Sequence, residues 1–552
     1  MYGQHLKRKK EACDTKSNLL QTAPSAPAKW EGVLNATKKT KLCIGASLRN
    51  CNEAEDEDCL YLNVYTPKLR PNSTETFSVL VFIPDDSFLG DESYLYGPDY
   101  LMDRGIIMVI LNYRVGPLGF LSIGDTLVPG NYGLKDQVRA LRWVRDNIAE
   151  FGGRPDSVTI HGHGSGGACV HYHMLSPMSR GLFHRAISQS GTALNPNMRP
   201  VDNPRLLAQK LANLTKCPSS DSVVMISCLK ELNQSRFSNI TSIPFGPTVE
   251  KANGPEEVFL SEDPLNIINE GKMTKVPWLM GSVNDEGASN AEELFQNETA
   301  LFIWNDNSED VLVTPTNLRL REEMKFMTPN WTKVLDFYMG NESHLINSNK
   351  YGAIIQLYGD RLYNLGIHLS AVLHALNGHT NIYKYNFELK AKSHYKKLSE
   401  DILQHVRAGH GDDLLYLFKL PMLEVFPPGQ PELDYIEVLT SIIAGFVKTG
   451  DPVAWEKLSA TWEPVGKLNR HDIHVKYMNI SNGNESSYDN VKMTMSQDLF
   501  KDRMDLWLSF SLSENLAYFR KVRNFSPSTK TIGLSSVMYM VIPLVTALVI
   551  IS

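Results

Sequence analysis

The chain shows no marked excess of charge of one sign, no internal repeat and no long linker, and each absence excludes a class. Lys plus Arg number 55 and Asp plus Glu 61, a net charge of −6 with pI near 6.2, which gives no basic surface for nucleic acid. Without repeats or linkers, 552 residues at 42% hydrophobic read as one large domain with ample core. Met1–Lys29 holds Lys7-Arg8-Lys9-Lys10 but no apolar core, so it is not a signal peptide. The apolar run Val537–Ile551 has 15 residues, short of the roughly 20 a spanning helix needs. Paired metal ligands are missing too. His161 and His163 straddle a strand end, His171 and His173 diverge on a helix, and His184 stands apart. No i, i+4 histidine pair or nearby Cys pair accompanies them, so neither a metal nor another cofactor is expected.

What is present begins at residues 157–175. Ser157-Val158-Thr159-Ile160 is a short β-branched strand, His161-Gly-His-Gly-Ser-Gly-Gly167 a tight turn, and Gly166–Leu175 a helix candidate. Strand, glycine turn and helix form the nucleophile elbow of α/β-hydrolases, written G-x-S-x-G. Centred on Gly164, both flanking glycines, Gly162 and Gly166, are in place and the serine is gone. Centred on Ser165, one flank is His163. The first framing fits better, so Gly164 holds the nucleophile position. Ser165 is the only alternative nucleophile, and its side chain is expected to cap amides of the first helical turn. Helix and strand signals alternate as a mostly parallel sheet requires. Leu134, Val138, Leu141, Ile148 and Phe151 share a helix face, and Ile106–Val115 reads as a buried strand.

Several longer blocks resemble the type-B carboxylesterase/cholinesterase family. They are Glu57-Asp-Cys-Leu-Tyr-Leu-Asn-Val-Tyr65, Asn112-Tyr-Arg-Val-Gly-Pro-Leu-Gly-Phe120, Gly130-Asn-Tyr-Gly-Leu-Lys-Asp-Gln137, Ser188-Gln-Ser-Gly191 and Lys448-Thr-Gly-Asp-Pro452. They run in family order from about Trp30 to about Phe510. The resemblance implies an α/β-hydrolase fold, a large mostly parallel sheet flanked by helices. It divides the chain into an atypical segment at 1–29, a hydrolase domain at 30–515, a polar linker at 516–536 and a hydrophobic tail at 537–551. An incomplete gene would explain the missing leader and the missing strand-rich start.

The same resemblance assigns the site. Glu286 in Asp285-Glu286-Gly287 and His410 before Gly411-Asp412-Asp413-Leu414 match the family's acid and histidine. The family's glycine-rich oxyanion loop is replaced, after the strand Val79–Ile83, by Pro84-Asp85-Asp86-Ser87. Carboxylates there carry the wrong sign for a developing negative charge. A lost nucleophile costs on the order of a million-fold and a lost oxyanion donor roughly a hundred- to a thousand-fold. The expectation is therefore a catalytically inactive cell-surface recognition protein with an extracellular protein partner. It would resemble the non-catalytic cholinesterase-like members, namely neuroligins, neurotactin, gliotactin and glutactin. Glu286 and His410 would then persist as a satisfied polar pair. The alternatives are an active carboxylic ester hydrolase using Ser165, and a pseudoesterase that sequesters a ligand.

The seven cysteines suggest an oxidising compartment. By resemblance Cys217 pairs with Cys228, and Cys59 pairs upstream with Cys43, with Cys51 as competitor. Cys169 reads as a buried free thiol. Sequons at Asn35, Asn72, Asn213, Asn233, Asn239, Asn297, Asn330, Asn341, Asn479, Asn484 and Asn524 point to glycosylation on the secretory route. Small and polar residues, Ser526, Ser528, Thr529 and Ser535, precede Val537–Ile551, as in a GPI-attachment signal, with a short tail anchor as the alternative. The expected location is the outer face of the plasma membrane, or the extracellular space.

Overall fold

The computed structural model describes residues 2–5, 23–25, 31–32, 36, 41–45, 55–68, 75–85, 87–238, 240–252, 254, 256–306, 331–340, 347–390, 393–420, 431–452, 461–471, 473–484, 487–510, 512 and 515. Asp86, Cys51, the linker, the tail and the sequons at Asn35, Asn72, Asn239, Asn330, Asn341 and Asn524 lie outside them. No helix among the described residues is long and apolar enough to cross a membrane.

Ten strands form one sheet: β1 (Tyr2–His5), β2 (Tyr61–Tyr65), β3 (Phe77–Ile83), β4 (Ile107–Leu111), β5 (Gly153–His163), β6 (Arg185–Gln189), β7 (Trp278–Val283), β8 (Ile382–Phe387), β9 (Lys476–Asn484) and β10 (Ser487–Gln497). Their order is β1-β2-β4-β3-β5-β6-β7-β8-β9-β10. The contacts from β4 through β9 are parallel, while β1–β2, β2–β4 and β9–β10 are antiparallel. This is the α/β-hydrolase arrangement expected. The atypical N-terminal segment does supply a strand, because the backbone of Tyr2–His5 pairs with Tyr61–Val64 and caps that edge.

The central strands are apolar on both faces, as a sheet covered by helices on each side requires. In β3, Val79, Val81 and Ile83 enter one core and Leu80 and Phe82 the other. In β4, Ile107, Val109 and Leu111 alternate likewise with Met108 and Ile110. Helices α1 (Tyr132–Asn147), α2 (Ser165–Leu175), α3 (Ala288–Gln296) and α4 (Leu365–Leu376) pack on the first face, and α5 (Pro431–Thr449) covers the second. The predicted stripe Leu134, Val138 and Leu141 is fully buried, although the α-helix stops at Asn147 and Ile148–Phe151 continues as a 3-10 turn.

Two family blocks meet in a buried ion pair. Arg114 Nε and Nη2 donate to Asp136 Oδ2 and Oδ1 at 2.8 and 2.7 Å, and the Arg114 amide also donates to Oδ2. This fork clamps the turn after β4 to the first turns of α1. Cys43–Cys59 and Cys217–Cys228 are disulfide-bonded, and Cys169 is a buried thiol. Among the described sequons, Asn213 and Asn297 are exposed, and Asn233 uses its side-chain oxygen to cap the turn at Ser235. Asn479 sits in β9, where its amide donates to Glu388 and accepts from Asn386. Asn484 closes the same strand.

Candidate active site

Strand β5 ends at His163 and α2 begins at Ser165, leaving Gly164 alone at the apex. Gly164 has φ 53° and ψ −121°, a backbone region that penalises any side chain and that glycine enters freely. Its amide donates to Gln189 O at 2.9 Å, and its carbonyl accepts from Ala168 at 3.0 Å. Gly162 is required for closeness, since a Cβ there would lie 2.2 Å from the Gly166 carbonyl. The elbow is therefore complete in backbone geometry and lacks only the hydroxyl.

Parallel pairing of Ile83 with Gly162 brings the loop after β3 directly beside this apex. Asp85 does not aim at an incoming oxyanion, as expected from the sequence, but turns onto the start of α2. Its Oδ1 accepts from the Ser165 amide at 2.8 Å and from Ser165 Oγ, and the Ser87 amide donates to it at 3.1 Å. Negative charge there complements the positive end of the helix. Ser165 consequently does not cap amides itself: its hydroxyl donates to Asp85, and the residue is 1% exposed. Pro84 lends its carbonyl to the Tyr113 hydroxyl at 3.0 Å, and Ser87 adopts a positive φ of 54°.

On the other side, Glu286 and His410 come together as the family resemblance required. His410 Nδ1 donates to Glu286 Oε2 at 2.6 Å, and Glu286 Oε1 accepts from the Val283 amide at 3.0 Å. Glu286 is fully buried, while the His410 side chain is 12% exposed. Asp285 laces the acid and histidine loops together. Its amide donates to Ala408 O at 2.9 Å and its Oδ2 accepts from the Arg407 amide at 2.7 Å. Beyond them, Gly409 and His394 bond Asp412, whereas Asp413 binds Gln189 and the Tyr385 hydroxyl.

Asp85 and His410 approach each other across the apex, and His163 joins them. One ligating atom from each of Asp85, His163 and His410 lies within 4.8 Å of the others. His163 Nδ1 is 3.5 Å from Asp85 Oδ2, and its ring stands 4.5 Å from that of His410. Burial alone would raise the Asp85 pKa, but its hydrogen bond to His163, the charges of His163 and His410, and the Ser165 hydroxyl hold it well below the usual range. For His163, burial acts downward and the Asp85 partner outweighs it, so the imidazole is raised. Sequence reading missed this cluster because it sought histidine partners near the elbow. The partners come from positions 85 and 410.

The other histidines near the elbow are bonded within the fold. His171 Nε2 meets His374 Nε2 at 2.9 Å, His374 Nδ1 meets His379 Nδ1 at 3.1 Å, and His379 Nε2 donates to Val276 O at 2.6 Å. The Ala193 amide donates to His171 Nδ1, which fixes one neutral tautomer along the whole chain of rings. Burial first, and neighbouring rings second, push His171 down to about 3 and hold His374 well below its usual value. His173 is held by Gln137 and Ser179, His161 by Gln189, and His184 accepts from the Val158 amide.

The profile of the Carboxylesterase family matches residues 21–507. Juvenile hormone esterase of Tribolium castaneum is 34% identical, over 90% of this chain and 88% of that protein. Neuroligin-2 of Mus musculus is 30% identical, over 78% of this chain but only 55% of its own length. The crystal structure of juvenile hormone esterase from Manduca sexta, with OTFP covalently attached, is 25% identical with a TM-score of 0.73, covering 89% of this chain and 92% of that one. The two juvenile hormone esterases are thus matched over most of both chains. This overturns the expectation of a catalytically inactive recognition protein. Counting the missing serine and oxyanion glycines gave too much weight to two lost groups and too little to the surviving base pair, elbow and buried hydroxyl. By profile, sequence and fold, the chain belongs to the carboxylesterase family.

Proposed function

We propose that the protein is a carboxylic ester hydrolase whose reaction runs where Gly164, Ser165, Asp85 and His410 meet. The observation that carries this reading is the Glu286–His410 hydrogen bond of 2.6 Å beside the elbow. A buried carboxylate orients the imidazole and stabilises its protonated form, leaving Nε2 to act as general base or acid. With no serine at the apex, Ser165 is the available hydroxyl, and its proton already lies on the line to Asp85. In this reading Ser165 Oγ attacks the acyl carbon as its proton passes to Asp85, which hands it to the departing alcohol. Water then attacks the acyl-serine as its proton passes to His410 Nε2, and that proton returns to Ser165 Oγ as the acid leaves. The ester must reach Ser165 past the Asp85 side chain, since Ser165 is 1% exposed. The two disulfides favour an extracellular site of action.

The purified protein should hydrolyse a short activated aryl ester above an inert-protein control, and His410→Ala should lower the rate by roughly 10²–10⁴. An organophosphate adduct should map to Ser165 by peptide mass. Hydrolysis no faster than the control, with no adduct, would reject the proposal.

A further inference from the structure

We propose that Asp85, His163 and His410 form a divalent-cation site of the zinc type beside the Gly164 apex. The inference goes beyond ester hydrolysis and stands independently of it. Three protein ligands, two imidazoles and one carboxylate, are a donor set that zinc takes in open, four-coordinate sites. A tetrahedron with bonds near 2.0–2.1 Å has edges of about 3.3 Å. The Asp85–His163 edge is 3.5 Å, and the widest pair lies within 4.8 Å. Asp85 and His410 are the more exposed members, with side chains 19% and 12% exposed, whereas His163 is 1% exposed.

Each ligand is prepared for the role. Asp85 has its Oδ1 tied down by the Ser165 amide and hydroxyl, so Oδ2 faces the cluster. His410 has Nδ1 committed to Glu286, which fixes the tautomer with Nε2 unprotonated. A carboxylate behind a ligating histidine is the usual support of such a metal site. His163 is the least satisfied member. Its Nδ1 pairs with Asp85 at a long 3.5 Å, and its Nε2 is buried with no hydrogen-bond partner. A cation bound at Nδ1 would take the place of that long contact.

The position has a chemical consequence. A cation on His410 Nε2 removes the base that the proposed hydrolysis needs, so metal binding and ester hydrolysis exclude each other. Zinc would therefore act as a reversible inhibitor.

The test begins with folded protein stripped by chelator, equilibrated with zinc chloride, desalted and assayed for metal per chain. A single equivalent is expected in the native protein and substantially less in Asp85→Asn and in His410→Gln. The His410 substitution lies at the partly open edge of the cluster, so it serves if Asp85→Asn fails to fold. Glu286→Gln should weaken zinc binding about 10–100-fold while leaving the ligands in place. Cobalt(II) in place of zinc should give the intense visible bands of a four-coordinate ion. Equal metal content in the native protein and both ligand variants, or the weak spectrum of six-coordinate cobalt, would overturn the site. Zinc should also suppress aryl-ester hydrolysis and chelator restore it. Absence of hydrolysis in metal-free protein would count against the esterase reading, and the metal measurements would still decide the site.

Discussion

Asp85 denies Gly164 a side chain: a Cβ placed on Gly164 would lie 2.1 Å from Asp85 Oδ2. The loop that took the place of the oxyanion glycines thus fills the volume of the missing serine. Gly164→Ser alone should recover little ester hydrolysis and should destabilise the fold. The positive φ contributes about 1–3 kcal/mol to that loss, before the collision with Asp85 is counted. Combining Gly164→Ser with Asp85→Gly should relieve the collision and raise hydrolysis well above either single variant. Rates on an aryl ester and denaturant midpoints for the three variants check this. A fully active Gly164→Ser single variant would refute the steric account.

Glu286 acts only through His410, and its removal reads out the base. Glu286→Gln keeps the shape but fails to hold the imidazole in its working tautomer, and kcat should drop by roughly 10³–10⁴ with little change in KM. A KM effect alone would show that the pair merely shapes the pocket.

The Arg114–Asp136 clamp predicts the largest stability loss from one surface-distant substitution. Both side chains are at most 4% exposed, so Asp136→Ala removes the two-pronged partner of a buried guanidinium, at a cost of about 3–5 kcal/mol. Chemical denaturation of the variant measures it, and a loss below ~1 kcal/mol would mean that water reaches the cation.

The buried His171–His374–His379 chain makes the fold acid-sensitive. Burial lowers all three below their unfolded value of about 6.5, with His379 at about 4. The unfolded chain then takes up protons first as pH falls. Stability from these rings is intact above pH 6.5 and is lost as pH drops from there toward 4, by up to about 1.4 kcal/mol per pH unit for each ring. Unfolding midpoints measured from pH 7.5 to 4.5 should fall in this window, and His374→Gln should flatten the slope.

Local signals made much of the site legible in the sequence. A β-branched run, a glycine turn and a helix placed the elbow, and the apolar stripe placed α1, because each lies within one contiguous stretch. Glu286, His410 and the Cys43–Cys59 pairing rested on the family resemblance, with Cys51 left as a competitor for Cys59. What escaped depended on side-chain direction across strands. Nothing in Pro84-Asp85 says that the carboxylate turns back onto Ser165, since that follows from the alignment of β3 against β5. The grouping of His163 with residues from positions 85 and 410 is likewise set by the sheet. The wrong weight given to lost catalysis came from judging the apex without its neighbours.

The lacing by Asp285 leaves a mechanical division of the pocket. The acid and histidine loops hold each other through the Asp285 amide and the Asp285 carboxylate, and neither bond involves residue 164. One wall can lose or exchange its chemical groups while the other keeps its aim. The elbow side is thus free to vary, as a replaceable part facing a fixed one.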